Sequence, residues 1–203
     1  MPIYDRDTGN VWQASLFIAT LGAGSYTWAE VTRDQQMESW LLAHIHALEH
    51  WGGVPLLVVP DNTRTGVSKA CRYDPDVNPT YQNFAAHYGF GVLPARPYKP
   101  RDKAVVENAV QVAQRWILAA LRHRKFFSLA EANQSIGELL HRLNHRPFRK
   151  RDGSRASVFE ALDKPALQPL PQERFEISEW ARARVNIDYH VVADGHFYSV
   201  PYR

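Results

Sequence analysis

The sequence predicts a mixed α/β fold: a sheet carrying helices on its faces, followed by the start of a small β unit. Three observations lead there. Apolar runs of strand length alternate with longer segments of helical period. Gly and Pro cut these segments apart at Gly22-Ala23-Gly24, Gly52-Gly53 and Gly89. Beyond Phe175 the pattern returns to strands around an Asp194-Gly195 turn.

The elements follow in order. Asp5 to Asn10 reads as a tight turn rich in Asx and Gly. Ala14 to Leu21 reads as a buried strand, and Tyr26 to Val31, across a turn, as its hairpin partner. Thr32 is placed to cap a helix running to Trp51, with Leu41, Ile45 and Leu48 on its inner face. Gly52-Gly53 stops that helix, and Val54 to Pro60 reads as a short strand. Thr63 to Pro79 is a polar loop, Thr80 to Tyr88 a short helix, and Phe90 to Ala95 another strand. A Pro94/Pro97/Pro100 loop leads into a long helix from about Arg101 to Arg124. Ser128 with Glu131 three positions on forms a capping box for a helix reaching about Asn144. Arg149 to Ser157 is a basic loop, and Pro165, Pro169 and Pro171 suit a stiff linker. Strands at Tyr189–Val192 and His196–Val200 close the chain.

Composition narrows the function. With 203 residues, 45% of them hydrophobic, the chain can bury a real core. No apolar run is long enough to span a bilayer, and with no basic or apolar stretch after Met1 a secretory leader is not expected. The single cysteine, Cys71, excludes an intrachain disulfide and a Cys-cluster zinc site, and fits a reducing cytosol. The net charge of +3 is unevenly spread. Arg96 to Arg155 holds 14 Lys/Arg against 5 Asp/Glu, while the rest of the chain holds 10 against 16. Such asymmetry suits an anionic partner, although a solvated basic face gives the same count.

Two acids stand out. Asp61 ends the apolar run Leu56-Leu57-Val58-Val59-Pro60, at the carboxyl end of a strand where open α/β sheets place their sites. Glu107 follows the basic loop Tyr98-Lys99-Pro100-Arg101-Asp102-Lys103 and opens a helix among Val105, Val106 and Val110. Two carboxylates so placed can share divalent metal, and Mg²⁺ suits oxygen ligands and phosphate. Glu107 also reads as an electrostatic helix cap, and Asp102 as an N-cap rather than a ligand.

These segments, taken together, resemble the integrase catalytic core of transposases and retroviral integrases. More closely, the chain resembles the IstA-type insertion-sequence transposase. The likeness rests on Gly52-Gly53-Val54-Pro55, Asp61-Asn62, His87-Tyr88-Gly89-Phe90, Pro94-Ala95-Arg96-Pro97, Arg115-Trp116-Ile117-Leu118, Leu143-Asn144 with Arg146-Pro147-Phe148, and Tyr198-Ser199-Val200-Pro201-Tyr202. It implies a ribonuclease-H-like sheet with flanking helices and an Asp-Asp-Glu triad. Asp61 matches the second Asp and Glu107 the Glu, 46 positions apart. The family's first Asp lies on the first strand. Asp5 and Asp7 sit in a turn instead, so that Asp is expected ahead of Met1, and the chain as given is expected to be short of one carboxylate and of activity. The resemblance implies two Mg (or Mn) ions that promote donor-DNA cleavage and attack of the freed 3′-hydroxyl on target DNA. Arg64, Lys99, Arg101 and Lys103 would contact phosphates beside the site, and Arg146, Arg149, Lys150 and Arg151 farther out. Transposon ends and target DNA, a homo-oligomer on DNA, an IstB-type ATPase helper and a bacterial cytoplasmic location are implied with it. The expected domains are a core over 1–147, a basic Pro-rich linker over 148–172 and the start of a β domain over 173–203.

Two readings compete. His46-Ala47-Leu48-Glu49-His50 fits the H-x-x-E-H pattern of inverted zinc proteases, with both His as ligands and Glu49 as base. Both His, however, lie opposite the Leu41/Ile45/Leu48 face. The other reading keeps the fold without catalysis, as a DNA-binding or assembly fragment.

Overall fold

The computed structural model describes residues 1–60, 67–69, 76–93, 108, 110–112, 114–178, 183–193 and 195–201, with the backbone alone at 67–69, 76–77 and 193. The chain opens with a short hairpin, β1 (Pro2–Tyr4) and β2 (Val11–Gln13), in the register Pro2↔Gln13, Ile3↔Trp12 and Tyr4↔Val11. Its turn is the Asx-rich stretch expected there: the Asp5 carboxylate accepts from the amides of Asp7 and Thr8. One residue later begins the main hairpin, β3 (Ser15–Thr20) with β4 (Thr27–Thr32), paired antiparallel from Ser15↔Thr32 to Thr20↔Thr27.

This hairpin separates two apolar clusters because alternate side chains leave a strand on opposite faces. Phe17 and Ala19 join one cluster with Leu41, Ile45, Leu48 and Trp51 of α1 (Met37–Trp51). Leu16 and Ile18 join the other with Ala132, Ile136 and Leu140 of a later helix. α1 does not start from Thr32. That residue ends β4, and its hydroxyl donates to the Asp34 carbonyl. Asp34 accepts from the Gln36 amide, so a side-chain turn precedes the helix, and Gln36 is its N-cap. The stop is as expected: Gly52 takes φ +68°, where a side chain would be strained.

The strand expected over Val54–Pro60 narrows to β5 (Leu57–Val58), and Val54 instead bridges Gln168. Between them and the next helix lie β6 (Val67–Lys69) and β7 (Asp76–Val77), inside the expected polar loop. α2 (Pro79–Tyr88) begins at Asn78, whose side chain accepts from Thr80 N–H, and ends at Gly89. α2 contributes Tyr81, Phe84 and Tyr88 to the first cluster. β8 (Gly91–Val92) lies parallel to β5.

The long helix expected from Arg101 is described from Asn108 onward with gaps. It passes through a π-helical turn at Gln114–Leu118 into α3 (Ala119–Leu121). Then comes α4 (Leu129–His145). Ser128 caps it by accepting from Glu131 N–H, and Glu131 reaches back to Phe127 N–H rather than to Ser128 itself. α5 (Arg155–Val158) starts from Ser154, inside the stretch read as basic loop, and runs into further helical turns to Ala166. The last hairpin, β9 (His190–Ala193) and β10 (His196–Ser199), pairs as expected, with Gly195 at φ +76°. No helix among the described residues is long and apolar enough to cross a membrane.

Two amides of α4 finish the sheet's outer edge. Asn133 accepts from Val31 N–H at 2.7 Å and donates to Val31 C=O at 3.0 Å. Asn144 does the same for Thr27, at 3.1 and 2.9 Å. The two lie eleven positions apart, about three helical turns, so both face β4. Each side chain takes the place of a neighbouring strand and satisfies peptide groups that would otherwise be buried without partners.

Candidate functional site

Parallel β5 and β8 deliver the chain to one end of the sheet. β5 leads through Val59 to Pro60, and β8 leads to Leu93. Asp61, Arg64, Lys99, Arg101, Lys103 and Glu107 lie outside the described residues, as do Asp102 and Cys71. Asp61 and Glu107 are each flanked on one side by described residues. Val59 and Pro60, next to Asp61, and Val110, three positions after Glu107, line the same cleft. It holds about 640 Å³. Ser15 to Leu21 form one wall and Leu57 to Pro60 another. Trp40, His44 and Leu48 of α1 and Gln114 and Leu118 complete it.

Burial sets the electrostatics of the cleft wall. His44 sits among the rings of Phe17, Trp40, Tyr81 and Phe84. Its Nδ1 pairs with the Trp40 carbonyl at 2.9 Å, which makes Nδ1 the protonated nitrogen of a neutral ring. Burial lowers its pKa to about 4. The Tyr81 hydroxyl is pushed up for the same reason.

The basic residues beyond the core do come together. Arg146 stacks over Trp116, its guanidinium carbon 4.2 Å from the ring centre. Phe148 carries Arg151 at 4.0 Å and Arg155 at 5.9 Å. Residues 147–154 close into a loop through a Pro147–Ser154 bridge and a Phe148 N–H bond to the Gly153 carbonyl at 2.9 Å. Gly153 turns the corner at φ +86°, where a Cβ would also meet the Ser157 hydroxyl at 2.6 Å. Arg149, Lys150 and Arg151 are exposed on this loop. Among the described residues no acid pairs with these three or with Arg146. Burial, then the charges of Arg146 and Arg151, lower the pKa of Arg155, the mark of cations crowded together. The sequence reading missed Arg155 and the Trp116 platform. A Trp thirty positions from Arg146 gives no local pattern, although an Arg spaced nine from Arg146 within a basic run was a usable signal.

The H-x-x-E-H residues are engaged separately. His46 Nδ1 lies 3.0 Å from Glu30 of β4, whose carboxyl is nearly buried. Burial raises the Glu30 pKa, and His46 opposes the rise. Glu49 pairs with Arg174 at 3.1 Å. His50 stacks against Tyr26 and Trp28, and its pKa is lowered by burial. Among the described residues no group of three His, Cys, Asp or Glu could hold a metal.

Residues 170–203 match the family described as Mu transposase, C-terminal domain. The whole chain is 50% identical over 202 residues to a Burkholderia multivorans protein assigned as the transposase for insertion sequence IS408, and covers 39% of it. The Pseudomonas fluorescens protein assigned to IS1162 is 48% identical, matched over 99% of this chain and 36% of its own length. The IS21 transposase of Pseudomonas aeruginosa is 26% identical, over 95% of this chain and 49% of its length. The chain thus spans less than half of these relatives. Among solved structures, the catalytic core domain of BIV integrase superposes with a TM-score of 0.56 at 13% identity, over 81% of this chain and 93% of that one. An HTLV-2 integrase catalytic core in complex with magnesium gives 0.55 at 13%, over 78% and 92%. A chain of a simian T-cell lymphotropic virus intasome gives 0.60 at 14%, over 89% and 58%. By sequence the chain is similar, over nearly its whole length, to part of the insertion-sequence transposases, and it has the ribonuclease-H-like fold of integrase catalytic cores.

Proposed function

We propose that this segment supplies the strand-cutting and strand-joining chemistry of a DNA transposase, with Asp61 and Glu107 as two of its metal-holding carboxylates. The observation that carries the reading is the shared cleft. Val59 and Pro60 lead to Asp61, Val110 follows Glu107, and all three line it. Two carboxylates are a donor set suited to Mg or Mn, and such ions lower the pKa of a nucleophile and stabilise charge on a leaving oxygen. In this reading Asp61 and Glu107 hold the ions, while Arg64, Lys99, Arg101 and Lys103 grip the phosphates on either side. Arg146, Arg149, Lys150 and Arg151 extend the grip along the backbone. A homo-oligomer on DNA, an IstB-type ATPase helper, a bacterial cytoplasmic setting and domain boundaries near 147 and 172 belong to the same proposal.

A duplex-binding titration at several salt concentrations tests the DNA part. Replacing Arg149, Lys150 and Arg151 together by Ala lowers the slope of log affinity against log salt by about 2 to 3, since each phosphate contact contributes about 0.9. An unchanged slope removes this loop from the interface.

A further inference from the structure

Three pieces of chain meet beside the core. Trp116 lies in the π-helical turn Gln114–Leu118, an irregularity frequent at functional sites. Its neighbour Ile117 is fully buried, whereas Trp116 stays 42% exposed. Arg146 follows the last residue of α4 and covers the Trp116 ring. Phe148, Arg151 and Arg155 come from the closed loop and the start of α5. Arg151 and Arg155 share the Phe148 ring, and Arg155 Nη1 also donates to the Leu143 carbonyl of α4 at 3.4 Å.

Two rings therefore carry three guanidiniums. An aromatic face holds a guanidinium on its flat side and leaves the N–H donors at the edge free. Side chains that would otherwise sample many rotamers are ordered before any partner arrives. Arg149 and Lys150 differ, being exposed without an aromatic partner among the described residues.

Cations gathered in this way repel one another. Burial, then the charges of Arg146 and Arg151, work against the charge on half-buried Arg155. The acid of this loop, Asp152, is exposed and pairs with none of the three among the described residues. An ordered cluster of arginines without a counter-charge suits an anion from outside, and planar forks match the oxygens of phosphate.

We propose that Arg146, Arg151 and Arg155 form one site for a single phosphate group, in which Trp116 and Phe148 are positioning residues that hold the guanidiniums in place. The inference deepens the DNA-binding reading and rests on it for the source of the phosphate, the backbone of a duplex. A solvated basic face needs neither a half-buried arginine nor a ring against each cation, and this site has both. A row of independent contacts would engage one phosphate per arginine, whereas these three act as a unit on one.

Duplex titration of the 203-residue chain at several salt concentrations tests it. Replacing Arg146, Arg151 and Arg155 together by Ala lowers the slope of log affinity against log salt by about 0.9, the share of one phosphate, where three separate contacts would lower it by about 2.7. Arg155→Lys keeps the charge without the fork and loses as much affinity as Arg155→Ala, about tenfold or more. Trp116→Leu keeps every charge, so affinity falls about 2- to 5-fold at an unchanged slope and melting temperature, and Trp116→Phe restores it. A slope drop of zero or near 2.7 overturns the proposal, as does an Arg155→Ala chain that binds like the parent or a Trp116→Leu chain that does. If the parent chain binds no duplex, the DNA reading fails, and inorganic phosphate decides this one: saturable shifts of the Arg146, Arg151 and Arg155 Nε–H resonances support the site, and their absence overturns it. The same phosphate titration of the parent decides should the triple variant fail to fold.

Discussion

Asn144→Leu removes the two hydrogen bonds that close the β4 edge while keeping the side-chain volume nearly constant. Thr27, whose N–H and C=O they satisfy, is 2% exposed, and Asn144 itself is 2% exposed. Water cannot replace the lost partners. Each stranded group costs about 1–3 kcal/mol, so the variant loses about 2–6 kcal/mol. That is a large part of the stability of an ordinary domain, about 5–15 kcal/mol. Asn133→Leu makes the same change at Val31, which is also 2% exposed, and should cost a similar amount. Urea unfolding followed by Trp fluorescence measures both. Both variants are predicted to unfold at lower urea than the parent, with unchanged slope against urea. An Asn144→Leu protein as stable as the parent would refute the claim that side-chain amides stand in for a strand here.

The remaining predictions concern pH. His44, held near pKa 4 against an ordinary 6.5, favours the neutral ring in the folded state. The folded protein therefore loses stability as pH falls from 6.5 toward 4, by about 3 kcal/mol at about 1.4 kcal/mol per pH unit. His44→Leu lacks this loss, so the stability gap between parent and variant should shift in the variant's favour by that amount between pH 7 and pH 4; a constant gap in paired melts would contradict it. Glu30 has the opposite sign. Its raised pKa means that its stabilising contribution is present below about pH 4.5 and is lost as pH rises. Glu30→Gln should thus compare better with the parent at pH 7 than at pH 4, and the reverse trend would show that pairing with His46 outweighs burial.

Elements with a strong local signal could be read from residues alone. The β3–β4 hairpin, the Gly52 and Gly89 stops, the Ser128 cap and the closing hairpin each have a signature within a few residues. Those that failed depend on tertiary contacts. β1 and β2 are three residues each, too short for a period, and are held by partners such as Phe126, whose carbonyl accepts from Tyr4. Thr32 looked like a cap because propensity cannot see that its hydroxyl is used one turn early. Leu56 and Leu57 lie in an apolar run of strand length, yet they are 67% and 52% exposed, which no single segment announces. The proposed site is read from the order of its motifs. Its acids lie outside the described residues, so their placement rests on Val59, Pro60 and Val110, and the Arg146–Trp116 pairing became visible only in three dimensions.

The most direct test of the central claim is Mn²⁺ binding to the chain, followed by electron paramagnetic resonance, in the parent and in Asp61→Asn and Glu107→Gln. The account predicts Mn²⁺ binding that weakens in both variants and is untouched by His46→Ala. Binding unaffected by either carboxylate change, or lost with His46→Ala, would contradict it.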